Sequence, residues 1–224
     1  MTALGLADRA ATAELREVLL GAGFTGEGVR GALRTGQELI ARSVDLPLHE
    51  RRLEGVEPLG TLIKLLALEL PVAADAAERA FAPLPLDRVE QLGIIEHGPG
   101  DVRSRVRVVP HDEVLIVSDR RAPGADVPPD YVAGVHGPSL TLSRLTVRQP
   151  VDAALDVGTG CGIQAILAAR HSGRVVATDV NARAIDFAAF NASLNGIDNV
   201  EVREGSFFEP VVGSRFGLVT CNPP

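Results

Sequence analysis

Apolar residues follow a helical period over residues 1–95, a strand period over 94–118, and alternate between the two from residue 150. Leu15, Val18 and Leu19 share one face of a helix predicted over Ala11–Leu20. Leu62, Leu65 and Leu66 repeat that spacing in a helix predicted over Leu59–Leu70, which Pro71 ends. Further helices are predicted over Ala73–Phe81 and, after Pro85, over Asp87–Leu92. Val102, Ser104, Val106 and Val108 then alternate with Arg103, Arg105 and Arg107. A turn at His111–Asp112 leads into Val114–Val117, which predicts a β-hairpin with one apolar and one basic face. Helices followed by such a hairpin point to a winged-helix-like module. The arginines read either as a solvated strand face or as a patch for RNA or another acidic partner. Residues 120–138 are rich in Pro, Gly and Asp and read as a linker. Beyond it, strands are predicted over Ala153–Val157, Arg174–Asp179, Val200–Arg203 and Phe216–Cys221, with helices over Gly162–His171 and Ala182–Leu194. Such an order implies a parallel sheet with helices on both faces, an α/β architecture.

Composition narrows the picture only slightly. At 224 residues, 46% hydrophobic and 23% charged, the chain suits one large or two small globular domains, not a disordered tail or fibrous repeat. With no Trp and 4% aromatics, the core must be aliphatic and alanine-rich. A net charge of −7 argues against a purely electrostatic grip on nucleic acid but leaves room for a local patch. Cys161 and Cys221 lie in aliphatic segments and cannot form a disulfide framework, so a reducing, cytoplasmic setting is expected. The start reads as no signal peptide, and Thr61–Ala74 is too short and too charged to span a membrane. His49, His97, His111, His136 and His171 show no metal-ligand spacing, and no metal is expected.

Three motifs carry candidate chemistry. Asp156-Val157-Gly158-Thr159-Gly160-Cys161-Gly162 joins a strand to a helix. Glycines allow a tight turn and close approach of a ligand, and the helix start offers free N–H groups. A phosphate loop needs Lys-Ser/Thr after the last glycine, where Ile163-Gln164 stands, and a dinucleotide fingerprint needs a glycine in place of Ile163. A nicotinamide-dependent oxidoreductase is thereby disfavoured. Asp179 ends the next strand, 23 residues after Asp156, where an open α/β sheet places a carboxylate against ribose hydroxyls. It also suits a helix N-cap. Asn222-Pro223-Pro224 ends the fourth strand. The Asn222 oxygen and the Pro223 carbonyl can both accept from one NH2 group, although Asn-Pro is also a common turn pair.

In this order and spacing, residues 150–224 resemble class I S-adenosylmethionine-dependent methyltransferases with an Asn-Pro-Pro-aromatic motif. LDVGTGCGIQAILAA and VVATDVNARAIDFAAFNASLNG are most similar to the release-factor glutamine and ribosomal RNA guanine-N2 branches. The resemblance implies a Rossmann-like sheet and S-adenosyl-L-methionine as cofactor. It implies methyl transfer to a planar NH2, either a glutamine amide of a release factor or similar protein, or an exocyclic amine of an RNA or DNA base. Release factor, ribosomal RNA or tRNA are the macromolecular partners it suggests. A non-catalytic cofactor- or partner-binding fragment is the alternative.

The resemblance places Asp156 near the methionine ammonium, with Gly158, Thr159, Gly160, Cys161 and Gly162 holding the methionine part, and Asp179 with Val180 at the ribose. Glu204-Gly205-Ser206-Phe207 falls where these families recognise adenine, with Ser206 where an acid is usual and Phe207 against the ring or in the core. Asn222 with Pro223 and Pro224 would hold the acceptor nitrogen, Asn222 also counting among the cofactor-binding residues, and Ser139–Leu145 would cover the methionine end. Gly217 departs from the family, which has an acid there. The expected organisation is a helical accessory domain over 1–119, a linker and cofactor-covering segment over 120–149, and a truncated cofactor-binding domain over 150–224. Only four strands of the family's seven are visible, so the 224-residue chain is expected to be incomplete and inactive as written.

Overall fold

Helices and sheets sort into two compact units, residues 1–120 and 121–224. The computed structural model describes residues 9–35, 45–122 and 127–223. In the first unit α1 (Arg9–Gly21), α2 (Gly26–Leu33) and α3 (Leu46–Arg52) precede α4 (Leu59–Leu62), which widens into a π-helical turn over Ile63–Ala67. Leu15, Leu19, Leu62, Leu65 and Leu66 are all fully or almost fully buried. The helix predicted to Leu70 stops at Ala67. The Leu68 N–H reaches back to Ile63 O, and Glu69 takes a left-handed φ of 61°. After β1 (Val72–Ala73), α5 (Ala74–Phe81) and α6 (Leu86–Gln91) come β2 (Ile95–His97), β3 (Asp101–Ser104), β4 (Arg107–His111) and β5 (Val114–Ser118).

The alternating arginine stretch is not one strand. It bends at Arg105–Val106, so β3 pairs with β1 and β2 while β4 pairs with β5, all antiparallel. No basic face results, because every arginine has a carboxylate partner. Arg103 meets Asp101 at 3.0 Å and Arg105 meets Glu96 at 3.4 Å, both at the surface. Arg107 is 8% exposed. Its Nε lies 3.6 Å from Glu69 Oε1 and donates to the Ala67 carbonyl at 3.4 Å. Arg120 approaches the other Glu69 oxygen at 3.4 Å. Breaking a buried ion pair strands a charge in a low-dielectric setting, whereas exposed pairs contribute little. Arg107→Met is therefore expected to destabilise this unit by about 2–4 kcal/mol, and Arg103→Met or Arg105→Met by under about 0.5 kcal/mol, read from denaturant midpoints. Equal effects at the three positions would contradict this assignment.

The second unit contains α7 (Gly137–Leu145), β6 (Val151–Val157), α8 (Ile163–Ala169), β7 (Ser172–Asp179), α9 (Ala182–Leu194), β8 (Val200–Glu204), a 3₁₀ turn over Glu209–Val211 and β9 (Leu218–Cys221). All four strands are parallel, in the order β8-β7-β6-β9. Both faces of the central strands β6 and β7 are buried, whereas the flanking β8 and β9 remain partly exposed. Ala154, Val175 and Ala177 pack with Ala165 and Ala168 of α8 in one cluster, while Leu155, Val157 and Val176 meet Val211 in another. The small alanines let α8 sit close to the sheet. Its first chain crossing runs from β6 to β7 and β8 on one side, and β9 then joins on the other. Strand order thus reverses beside β6, the point where open α/β sheets hold ligands beyond their carboxyl ends. Gly217 has a local reason to lack a side chain: a Cβ there would sit 3.0 Å from Val151 Cγ1. Helix α7 begins inside the stretch predicted as linker. Thr141, Ser143 and Thr146 hydroxyls bond carbonyls one turn back along it.

Candidate functional site

Asp156 is the penultimate residue of β6 and is 2% exposed. Its Oδ2 accepts from Thr159 Oγ1 at 2.6 Å and from the Ala165 N–H at 3.2 Å, and Oδ1 accepts from Thr220 Oγ1 at 2.9 Å. Burial pushes its carboxyl up to about 6 despite these bonds, and the nearby Asp179 charge adds to the rise. One carboxylate thus ties β6 to the glycine turn, to α8 and to β9. Asp179, at the end of β7, accepts the Gly160 N–H at 2.9 Å and the Asn181 N–H at 3.0 Å. Asn181 in turn caps α9, its side-chain oxygen accepting from the Arg183 N–H.

Between these carboxylates the turn needs glycine. Gly158, Gly160 and Gly162 have φ of 66°, 55° and 83°, a region that L side chains enter at a cost. At Gly158 and Gly160 nothing lies within 4 Å of a would-be Cβ, so the turn leaves open space there. At Gly162 a Cβ would come within 3.0 Å of the Ala188 Cα and Cβ on α9. Asn191 of α9 donates to the Cys161 carbonyl at 2.8 Å, and burial raises the Cys161 thiol to about 11, so it stays protonated.

A cleft of about 620 Å³ opens over the strand ends. Of the residues predicted for the site, Asp156, Gly158, Thr159, Gly160, Cys161, Asp179, Val180, Phe207, Asn222 and Pro223 line it. Gly162 does not; it lies behind the turn, where its N–H donates to Thr159 O. Ser206 is not in the lining either, since its N–H turns toward Glu209 at 3.3 Å. The lining there comes from Gly205 and Phe207. Phe207 is 67% exposed with φ 44°, and its carbonyl accepts from Thr178 Oγ1, so its ring is not a core aromatic. Pro224 lies outside the described residues.

On the opposite wall Ser139, from the segment expected to cover the methionine end, lines the cleft. Tyr131, Val132, His136 and Pro138 line it too, as does Gln164 of α8, and these five were not singled out for the site in the sequence. Asp130 anchors this wall: its carbonyl accepts from Asn181 Nδ2 at 3.0 Å, and its carboxylate lies 3.3 Å from Arg183 Nε. The Pro/Gly-rich composition of residues 120–138 masked this role, because it reads the same in a spacer as in a wall. His97 is a second surprise. It lies with Asp87 and Glu90, their potential ligand atoms within 4.8 Å of one another. Its Nδ1 is 2.7 Å from Glu90 Oε2, a contact that lowers the Glu90 carboxyl.

The cleft offers carboxylates at two points, acceptor groups at a third (Asn222 and the Pro223 carbonyl), and apolar walls from Tyr131, Val132, Val180 and Phe207. That set suits a nucleoside bearing a cationic tail better than a polyphosphate, which would need basic side chains.

Residues 136–224 match the Methyltransferase small domain, and residues 21–105 match a domain of unknown function, DUF7059. The release factor glutamine methyltransferase of Xylella fastidiosa is 46% identical over 71 residues, covering 31% of this chain and 26% of that protein. The ribosomal protein uL3 glutamine methyltransferase of Bordetella pertussis is 40% identical over 83 residues, covering 35% and 28%. The crystal structure of the ribosomal protein L11 methylase from Lactobacillus delbrueckii subsp. bulgaricus aligns at 33% identity and a TM-score of 0.32, over 38% of this chain and 42% of that one. The chain spans about a quarter to a third of the length of the release factor relatives it matches.

Proposed function

We propose, on the premise that residues 136–224 are a class I methyltransferase module near the release-factor glutamine and ribosomal protein branches, that the protein binds S-adenosyl-L-methionine and methylates the side-chain amide of a protein glutamine. One observation carries the proposal. Asp156, Asp179 and Asn222 come from the tips of three adjacent parallel strands and line one cleft. Asp179 keeps acceptor capacity for ribose hydroxyls beyond its two backbone N–H bonds. Phe207 and Val180 present exposed apolar surface for an adenine face. Gly158 and Gly160 leave room for close approach.

The bound sulfonium supplies an already activated methyl group, so the protein's task is positioning. The Asn222 side-chain oxygen and the Pro223 carbonyl accept the two N–H bonds of a planar NH2. Held by both, the nitrogen presents its face along the cleft toward the donor. As positive charge develops on nitrogen, the two acceptors stabilise it. The N–C bond to the methyl group would form as its S–C bond breaks, S-adenosylhomocysteine would leave, and the methylated nitrogen would pass one proton to solvent, so no strong base is required beside the two acceptors.

A glutamine target is favoured over a nucleobase on two grounds. Relatives named as glutamine methyltransferases match this segment, and the three arginines that would serve RNA are each engaged by a carboxylate. In this reading residues 1–120 are a winged-helix-like accessory domain that helps select the protein substrate, with the β2–β3 hairpin of the β1-β3-β2 sheet as its wing and the buried β4–β5 pair as part of its core. Among the described residues no helix is long and apolar enough to cross a membrane. Transfer of label from radioactive S-adenosylmethionine to purified release factors, ribosomal proteins and RNA tests the reading. Label on a glutamine side chain is expected; label confined to RNA would overturn it.

Asp156 also gives the binding a pH dependence. Its carboxyl is raised, so the folded protein holds that proton more tightly than the unfolded chain does, and ionising it between about pH 4 and 6 costs stability. A cationic ligand beside it favours the ionised form. Cofactor affinity is therefore expected to be constant above about pH 7 and to fall by up to tenfold per unit below about 6, measured by calorimetry. Asp156→Asn should flatten that profile; an unchanged slope would contradict the assignment.

A further inference from the structure

Gln164 is only 5% exposed, yet it lines the cleft. Its Nε2 donates to the Ser139 carbonyl at 2.7 Å. A carbonyl oxygen can only accept, so this bond fixes which end of the amide faces α7. No protein donor to the Oε1 end is seen among the described residues, and that oxygen keeps access to the cleft. An amide oxygen at a cleft wall with no protein donor takes its hydrogen bond from water or a ligand. Asp156 stands in the opposite condition. Thr159, Thr220 and the Ala165 N–H already occupy its two oxygens from three directions. Gln164 immediately precedes Ala165, so its side chain leaves the helix beside the point where Asp156 is bound.

We propose that Gln164 Oε1 is the acceptor that receives the primary ammonium at the aminoacyl end of the cofactor; this rests on the reading of the cleft as an S-adenosylmethionine site. The division of labour follows from chemistry. An ammonium has three N–H donors and no acceptor, so it needs oriented lone pairs as well as negative charge. Gln164 offers an oriented lone pair, held by the Ser139 carbonyl. Asp156 supplies the charge from behind its hydroxyl screen. Ser139 and α7 thereby act as positioning elements for a contact made by α8.

Calorimetric titration of the protein with S-adenosylhomocysteine and with its deaminated analogue separates this role from a structural one. In Gln164→Met the homocysteine compound is expected to bind about 10- to 100-fold more weakly, the scale of one hydrogen bond to a charged group, while the deaminated analogue changes less than about threefold. Gln164→Ala repeats the comparison with a residue that suits the helix, should the longer side chain disturb folding. Equal losses for both ligands would make Gln164 a packing residue and overturn the proposal, as would unchanged binding of both. Absence of any binding by the unmodified protein would instead refute the cofactor reading itself.

Discussion

Asn222→Ala, in a chain competent for methyl transfer, is expected to lower turnover at saturating cofactor by about 10²–10³, the scale seen when one preorganised polar contact to a developing charge is removed. Cofactor affinity should change only a fewfold, because Asn222 follows β9, two strands along the sheet from β7 and Asp179, and the hydrogen bonds that hold the glycine turn come from Asp156, Asp179 and Asn191. The split is diagnostic. A residue that binds both ground and transition states changes affinity and rate together, whereas one that aims the nitrogen changes the rate. Asn222→Asp is informative alongside it. It keeps an acceptor but brings a third carboxylate to a cleft that already holds Asp156 and Asp179, so it should rescue little. Loss of cofactor binding with full turnover at saturation would place Asn222 in the cofactor site and remove it from the chemistry.

The second large effect is structural. Gly162→Ala forces an L side chain to φ 83° and drives its Cβ to 3.0 Å from the Ala188 backbone and methyl. Strain and overpacking each cost about 1–3 kcal/mol. The second unit should lose about 2–4 kcal/mol, and its thermal midpoint should fall by about 10–20 °C. Gly158→Ala is the matched control. Its φ of 66° is similarly unfavourable, but nothing lies within 4 Å of the added carbon. Strain alone, about 1 kcal/mol, is expected there, together with weaker cofactor binding because the methyl enters open cleft. Equal destabilisation at the two glycines would show that the turn is not braced against α9.

How much of this was legible in the sequence depended on how local its causes were. The parallel sheet was legible because strand and helix periods, glycines and terminal carboxylates all repeat within about twenty residues of one another. Asp156, Asp179 and Asn222 fall at strand ends, and strand ends in such a sheet converge on one crevice. Arg107 was not legible. Alternation assigned it to the surface, but its burial depends on Glu69, which lies 38 residues earlier and takes a left-handed backbone after a π turn. The two-residue β1 was invisible for the same reason, since its pairing with Val102 and Asp101 is a contact across distant chain. Ser206 itself does not line the cleft: beside Gly205, at φ 152°, its N–H turns to Glu209, and Gly205 and Phe207 form the lining there. Gln164 and the wall over Tyr131–Pro138 were hidden because what holds them in place is backbone carbonyls, of Ser139 and Asp130, which no residue type announces.

Titration of the protein with S-adenosylmethionine, alongside NAD⁺ as the competing occupant of such a sheet, addresses the cleft directly. One-to-one saturable binding of the sulfonium nucleoside, weakened at least about tenfold by Asp179→Ala and absent for NAD⁺, is the expected result. No heat with S-adenosylmethionine, or tighter binding of the dinucleotide, would contradict the account.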